Sequence, residues 1–151
     1  MNNDNLIAQT STTISAPIAA VWKALTDPAQ IKQYMFVTDA VSDWHEGSPI
    51  VWRGELQGRR YEDKGTILKL VPQHTLQFSH YSPLSGMPDE PQNYHTVTIE
   101  IFGQGTLTHV SLTQDGNASA EERDHSAKNW AMMLQGLKGL VETLEAKRPT
   151  P

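Results

Sequence analysis

The sequence predicts an α+β fold in which an antiparallel sheet of about seven strands curls around the helices that cover one of its faces. Three observations predict it: an alternating segment at the start of the chain, two short helical segments directly after it, and a long series of alternating segments that leads into one long helix. Helices that cover one face of an antiparallel sheet form the α+β class. A sheet of this size twists, and it therefore curls around its cover.

The first strand is predicted over residues 6–15, where side chains alternate and threonine is frequent. Pro17 then begins a short amphipathic helix to about residue 26, because its fixed backbone angle suits a first helical turn. Asp27-Pro28 ends this helix, since the residue before a proline avoids the helical region. We expect Asp27 to cap a second short helix that runs to about Tyr34.

The middle of the chain, residues 36–113, alternates with a period of two. Turn signals divide it into strands at Glu46-Gly47, Gln57-Gly58, Pro72-Gln73 and Gly103-Gln104. The last signal predicts a hairpin with a two-residue loop, since glycine in the first loop position suits a type II′ turn. That register collects apolar residues on one face, and its opposed pairs are Ile101 with Thr106, Ile99 with Thr108, and Val97 with Val110.

The strand before that hairpin is predicted over residues 75–81. Its inward face carries Leu76, Phe78 and His80. Antiparallel pairing with the next strand places them opposite Ile99, Val97 and His95. The connection between the two strands, residues 82–93, contains three prolines and is long for a hairpin loop. It is either a lid over a binding site or a stiff surface loop without a role in binding.

The chain is predicted to end in one helix of about 27 residues, roughly 40 Å long at 1.5 Å per residue. Asn117 or Ser119 caps its start, and Pro149 stops it. Its apolar residues recur at spacings of three and four: Ala127, Trp130, Leu134, Leu137, Val141 and Leu144. We predict one domain over residues 1–151, with a core from about 6 to 147.

Composition and charge exclude several classes of function. The net charge is −5, and no run of Lys and Arg exceeds the pair Arg59-Arg60, so we predict no nucleic-acid binding. The chain has no cysteine, which excludes disulfides, thiolate catalysis and cysteine-bound metals. No apolar run approaches the ~20 residues of a membrane helix, and the start does not read as a signal peptide. We therefore expect a cytoplasmic protein without membrane insertion.

Several segments, in this order, resemble the SRPBCC (START-like) superfamily, and more narrowly its branch named after the activator of heat-shock protein 90 ATPase (the AHSA1-type domain). The resemblance covers about residues 8–146, and Asn129 stands where that branch has glycine. The segments are Ile14-Ser15-Ala16-Pro17, residues 21–28, Gly65-Thr66-Ile67, Val71-Pro72 with Thr75-Leu76, residues 96–99 with 106–108, Asn129-Trp130, Leu134 and Leu137-Lys138.

The resemblance implies a helix-grip fold, in which the sheet wraps around the C-terminal helix and encloses a deep cavity. Members of the superfamily bind lipids, sterols, plant hormones or polyketides, and some are cyclases. The co-chaperone role belongs to eukaryotic members with an additional N-terminal domain, and we do not expect it for these 151 residues.

Two histidines are the main polar candidates for a site in that cavity. His80 and His95 are predicted to be inward-facing neighbours, where they would clamp a ligand, act as a general base or form half of a metal site. The alternative is that both lie near strand ends and bind only water. We predict no metal site, because no third ligand is in phase with them, and no cofactor.

The remaining candidates are mostly apolar residues predicted to line the cavity. Tyr34 and Phe36 follow the second short helix, where the resembling fold has its cavity mouth. Trp130 either packs in the core or forms the floor of the pocket. Met133 either lines a pocket that accepts varied shapes or fills an ordinary gap in the core. The other predicted lining residues are Trp44, Trp52, Phe78, Val97 and Asn129. For the two tryptophans, the alternative is that they only cover an end of the sheet.

The leading hypothesis is a module that binds a small apolar or amphipathic ligand. The first alternative is a cyclase- or isomerase-type enzyme acting on small aromatic or polyketide-like substrates. The sequence contains no nucleophile elbow, phosphate-binding loop, HExxH or dinucleotide fingerprint, and we favour a protein that is not an enzyme. The second alternative is a protein-interaction module that uses the outer face of the sheet. The sequence leaves homodimer formation open.

Overall fold

The structure, a computed structural model, describes residues 6–35 and 38–147. Two short 3-10 helices, Pro83–Ser85 and Pro91–Asn93, interrupt the loop between the fifth and sixth strands. The strands and helices, in chain order, are β1 (Ala8–Ile14), α1 (Ile18–Thr26), α2 (Pro28–Tyr34), β2 (Asp39–Ser42), β3 (Pro49–Leu56), β4 (Arg59–Val71), β5 (Thr75–His80), β6 (His95–Gln104), β7 (Leu107–Gln114) and α3 (Ala120–Ala146).

The seven strands form one sheet in the order β1-β7-β6-β5-β4-β3-β2, and every neighbouring pair is antiparallel. The first strand therefore pairs with the last, and β2 forms the other edge. The sheet curves around α3, the long C-terminal helix. The predicted α+β class and helix-grip fold are confirmed.

The core lies between the inner face of the sheet and α3. Leu134, Leu137 and Val141 of α3 are buried in one cluster with Ile99 of β6 and Leu112 of β7. Full burial of such a side chain stabilises the fold by about 1.5–3 kcal/mol. Leu144, the last residue of the predicted stripe, is half-exposed.

The helix starts follow the predicted caps closely. The Asp27 carboxylate accepts a hydrogen bond from the Ala29 backbone N–H at 3.0 Å and begins α2. α1 begins at Ile18, one residue later than predicted, with Pro17 as its cap. Of the two caps predicted for α3, Ser119 is the one used: its hydroxyl accepts from the Glu122 N–H at 3.1 Å.

The predicted register between β5 and β6 is confirmed in all three pairs: Leu76 with Ile99, Phe78 with Val97, and His80 with His95.

The register predicted for the β6–β7 hairpin is wrong by four residues. The loop lies at Gly105-Thr106, where Gly105 adopts a φ of 63°. The observed pairs match large apolar residues with each other: Ile99 lies opposite Leu112 and Ile101 opposite Val110. The predicted register placed threonines there, and cross-strand apolar pairs contribute roughly 0.2–1 kcal/mol each. A shift of four keeps every side chain on its predicted face.

Candidate functional site

A pocket of about 460 Å³ lies between the inner face of the sheet and the helices α2 and α3. We call it the sheet–helix pocket. β3, β4, β5 and β6 supply one wall, and α3 supplies the opposite wall through Asn129, Trp130 and Met133. The pocket is possible because α3 crosses a curved sheet and does not fill the whole concave face with side chains.

Aromatic side chains form the central part of the wall. The Trp52 ring lies 5.1 Å from the Phe78 ring and 5.2 Å from the His80 ring, measured between centroids. Trp52 and Phe78 are buried. Tilted aromatic pairs at this distance stabilise each other beyond the area that they bury. They give the pocket a rigid apolar surface.

Eight of the eleven predicted site residues line the sheet–helix pocket. They are Tyr34, Trp44, Trp52, Phe78, His80, Asn129, Trp130 and Met133. Phe36 lies outside the described residues, and Val97 and His95 do not line the pocket. Val97 is fully buried in the hydrophobic core, where the inner face of β6 is covered.

His95 lies opposite His80 as predicted, but the two side chains have different surroundings. His95 donates from Nδ1 to the carbonyl oxygen of Asp115 at 2.8 Å, and its Nε2 lies 3.9 Å from a carboxylate oxygen of Glu122. The segment that joins β7 to α3 therefore holds the His95 ring away from the pocket. Of the two histidines predicted to face one cavity, His80 lines the sheet–helix pocket and His95 does not.

His80 instead pairs with Asp63 on the neighbouring strand β4. His80 Nε2 donates to Asp63 Oδ2 at 2.9 Å, and both side chains are mostly buried, at 23% and 16% exposure. The close approach of β4 and β5 supports this pair. A Cβ on Gly65 would lie only 1.7 Å from the Ser79 carbonyl oxygen, so this position requires glycine.

The second carboxylate oxygen of Asp63 has a different environment. Among the described residues, Asp63 Oδ1 is the buried side-chain polar atom that has no hydrogen-bond partner. Buried polar atoms are normally paired, because an unpaired one has lost its hydration without compensation. Asp63 thus brings to the pocket wall a buried oxygen whose hydrogen-bonding capacity is unused.

Other polar groups on the wall are already engaged within the protein. The Tyr34 hydroxyl donates to the Ala24 carbonyl oxygen at 2.8 Å, and burial raises the Tyr34 pKa well above its ordinary value. The Thr38 and Tyr61 hydroxyl oxygens are 2.6 Å apart. Trp130 Nε1 donates to the Gln114 side chain.

Trp44 has an unusual backbone conformation for a pocket residue. Its φ is 56°, in the left-handed region that residues other than glycine seldom adopt. The Ser42 hydroxyl accepts from the Trp44 N–H at 3.0 Å and so supports this conformation. Such strain costs about 1–3 kcal/mol and is concentrated at functional sites. The strained residue here places a large side chain on the pocket wall.

The loop of residues 82–93 approaches the pocket through Leu84, which is half-exposed. The Tyr81 hydroxyl donates to the Met87 carbonyl oxygen at 2.6 Å, and Asp89 accepts from both Lys64 and the Tyr94 hydroxyl. These two hydrogen bonds, that from Lys64 first, hold the pKa of Asp89 below its ordinary value. The loop is thus fastened to β4, and its lid function stays a prediction.

Sequence reasoning missed four polar lining residues: Thr38, Glu55, Tyr61 and Asp63. A signal for two of them was present. Tyr61 and Asp63 lie six and four residues before the buried Ile67, so the strand period of two places all three on the inner face. The pairing of Asp63 with His80 had no such signal, because it depends on the contact between two strands.

Within residues 6–35 and 38–147, no group of three or more His, Asp or Glu side chains is arranged to hold a metal ion. No helix in the described part of the chain is long and apolar enough to cross a membrane.

The family comparison matches most of the chain. A family model described as Activator of Hsp90 ATPase homolog 1-like protein matches residues 15–142. None of the curated proteins compared with it matches this chain.

Solved structures similar to this one are numerous. ChR145 from Cytophaga hutchinsonii is 52% identical, covers 97% of this chain over 99% of its own length, and superposes with a TM-score of 0.83. DynU16, a protein of the dynemicin biosynthetic locus, is 16% identical; the match covers 95% of this chain and 48% of DynU16, with a TM-score of 0.75. The Aha1 dimer from Colwellia psychrerythraea is 19% identical; the match covers 90% of this chain and 96% of that one, with a TM-score of 0.71.

Proposed function

The chain belongs to the family of Activator of Hsp90 ATPase homolog 1-like proteins, within the START-like superfamily, and from that premise we propose that it binds an apolar or amphipathic small molecule in the sheet–helix pocket. The observation that carries this proposal is the pocket of about 460 Å³ itself. Ligand sites typically have volumes of about 300–1,000 Å³, with mostly apolar walls and a few placed polar groups.

The composition of the wall supports an apolar ligand body. Trp52, Phe78, Leu76 and Ile99 line the sheet side. Met133 on α3 adapts to ligands of different shape, because its unbranched side chain has three rotatable bonds. A ligand that displaces water from such walls gains roughly 25 cal/mol for each Å² of apolar surface removed from water.

A neutral dye provides the direct test. We expect Nile red, which fluoresces strongly in apolar surroundings, to bind the wild-type protein saturably with one dye per chain. Native mass spectrometry of the freshly purified protein, beside a denatured control, would show whether a small molecule is retained. The proposal is wrong if the dye signal rises linearly without saturation.

Two neighbouring positions on α3 provide matched variants. Asn129 lines the pocket, whereas the next residue, Lys128, is exposed and does not line it. We expect N129W to obstruct the pocket and weaken Nile red binding by about tenfold or more, a loss of ~1.4 kcal/mol. K128W adds the same side chain outside the pocket and should bind the dye as the wild type does. Equal behaviour of the two variants would place the dye elsewhere.

The His80–Asp63 pair favours one second candidate, an acid–base enzyme of the cyclase or isomerase type. A carboxylate that holds an imidazole in one orientation prepares it for proton transfer. In such an enzyme, H80Q would abolish turnover of an aromatic or polyketide-like substrate while Nile red binding persists. In a carrier, the same variant changes ligand affinity, and no turnover is seen in either protein.

A further inference from the structure

The charged groups on the wall of the sheet–helix pocket all have one sign. Glu55 and Asp63 line it, and among the described residues that line it there is no Lys or Arg. Two nearby cationic side chains form ion pairs with carboxylates that do not line the pocket: Arg53 with Glu62 at 2.8 Å, and Lys64 with Asp89. A second negative charge that enters the pocket therefore meets repulsion that no lysine or arginine of the wall compensates, and a low-dielectric wall strengthens that repulsion.

Asp63 is positioned to recognise a hydrogen-bond donor. Its Oδ2 accepts from His80, while its Oδ1 has no partner among the described residues. Each carboxylate oxygen can accept more than one hydrogen bond, and the terminal torsion of aspartate is broad. A modest rotation of the Asp63 carboxylate can turn Oδ1 towards the pocket while Oδ2 stays hydrogen-bonded to His80. His80 thus acts as a positioning residue for Asp63.

The other polar groups of the pocket wall are less available to a ligand than Asp63. The Tyr34 hydroxyl and Trp130 Nε1 donate to protein acceptors, and the Thr38 and Tyr61 hydroxyls bind each other. Asn129 and Glu55 lie on exposed parts of the wall. Of the two carboxylates on the wall, the mostly buried Asp63 is therefore the one that a ligand can use away from bulk water, where a hydrogen bond to a charged group is strongest.

We propose that the ligand carries a hydrogen-bond donor without negative charge, such as a phenol, alcohol or amine on an apolar body, and that Asp63 selects it. Ligands that end in a carboxylate, fatty acids among them, are disfavoured by the same group. This inference rests on the proposed function, because it assigns the chemistry of the ligand in that same pocket.

Three biphenyl probes of similar size separate the effect of a hydrogen-bond donor from the effect of a negative charge. Para-phenylphenol presents a neutral donor, para-methoxybiphenyl lacks the donor, and para-phenylbenzoate presents a carboxylate. We expect calorimetry at neutral pH to show that the wild type binds the phenol about tenfold more tightly than either of the others, as for one hydrogen bond to a charged acceptor. Equal affinity for the phenol and the carboxylate would overturn the inference, whatever the variants do.

Two neighbouring carboxylates on β4 provide the variant test. D63N neutralises the pocket group, while E62Q removes the same charge from the exposed side chain paired with Arg53. We expect D63N to reduce the preference for the phenol over the carboxylate by about tenfold, and E62Q to preserve it. Circular dichroism establishes that both variants are folded. Identical preferences in the two variants would overturn the role of Asp63.

Nile red binding distinguishes a failure of this inference from a failure of the proposed function. Saturable dye binding combined with no preference among the biphenyls overturns the ligand chemistry alone. Absence of binding for the dye and for all three biphenyls overturns the pocket function, and the role of Asp63 is overturned with it.

Discussion

At the scale of single residues, Tyr34 shows how a side chain replaces a missing backbone donor. The Ala24 carbonyl near the end of α1 would accept a helical hydrogen bond from residue 28, but Pro28 has no N–H. The Tyr34 hydroxyl donates to that carbonyl at 2.8 Å instead. One buried phenol thus satisfies the end of α1 and also forms part of the pocket wall.

Y34F should lower the free energy of unfolding by about 1–3 kcal/mol, because it leaves the buried Ala24 carbonyl without its donor. Urea unfolding followed by tryptophan fluorescence measures this difference. A variant as stable as the wild type would show that water or another group reaches the carbonyl.

The same variant should change the alkaline pH dependence of stability. Burial raises the Tyr34 pKa in the folded protein, so above the ordinary value of 10.0 the unfolded chain loses this proton first. The unfolded state then binds fewer protons than the folded state, and stability falls as pH rises, by up to about 1.4 kcal/mol per pH unit. Urea unfolding above that pH should show a steeper decline for the wild type than for Y34F. Parallel curves would contradict the raised pKa.

At the scale of elements, α3 contains two glycines in different surroundings. A Cβ at Gly139 would meet nothing within 4 Å, whereas a Cβ at Gly136 would lie 3.3 Å from Tyr34 Cβ and 3.4 Å from the Tyr34 carbonyl oxygen. Gly136 therefore permits the close packing of α3 against the end of α2, and Gly139 only weakens the helix.

G139A should stabilise the protein by about 0.8–1 kcal/mol, the difference in helix propensity between alanine and glycine. G136A gains the same propensity but crowds Tyr34, so we expect it to be less stable than G139A. Thermal unfolding followed by circular dichroism compares the two. Equal midpoints would show that α2 can move aside at no cost.

At the scale of the whole molecule, the fold brings together elements that are far apart in the sequence. β1 pairs with β7 along its whole length, and one core cluster joins Ile14 of β1, Val21 of α1, Ile50 of β3, Leu112 of β7 and Leu137 of α3. Within this cluster, the buried face of each strand or helix is covered by the other elements. The fold therefore depends on contacts between residues far apart in sequence.

We predict that the chain unfolds in one cooperative transition, because all its main elements share that core. Tryptophan fluorescence and far-ultraviolet circular dichroism should report the same urea midpoint. Two separated transitions would contradict a single domain. Repeating the measurement at different protein concentrations tests the homodimer that the sequence leaves open, because dimerisation makes the midpoint depend on concentration.

Features that depend on neighbouring residues could be predicted from the amino-acid sequence alone. The order of the elements, the caps at Asp27 and Ser119, and the inward phase of Phe78 and His80 follow from local periodicity and from turn and cap residues. These signals act within a few residues, and one sequence is enough to detect them.

Features that depend on contacts between distant segments could be seen only in the folded structure. There are three such features: the β6–β7 register, the hydrogen bond from His95 to the Asp115 carbonyl oxygen, and the pairing of His80 with Asp63. Periodicity assigns a residue to a face but not to a partner, since a shift of two or four residues preserves the face. The partner is selected by packing over the whole sheet, where opposed apolar pairs and satisfied polar groups together have the lowest free energy.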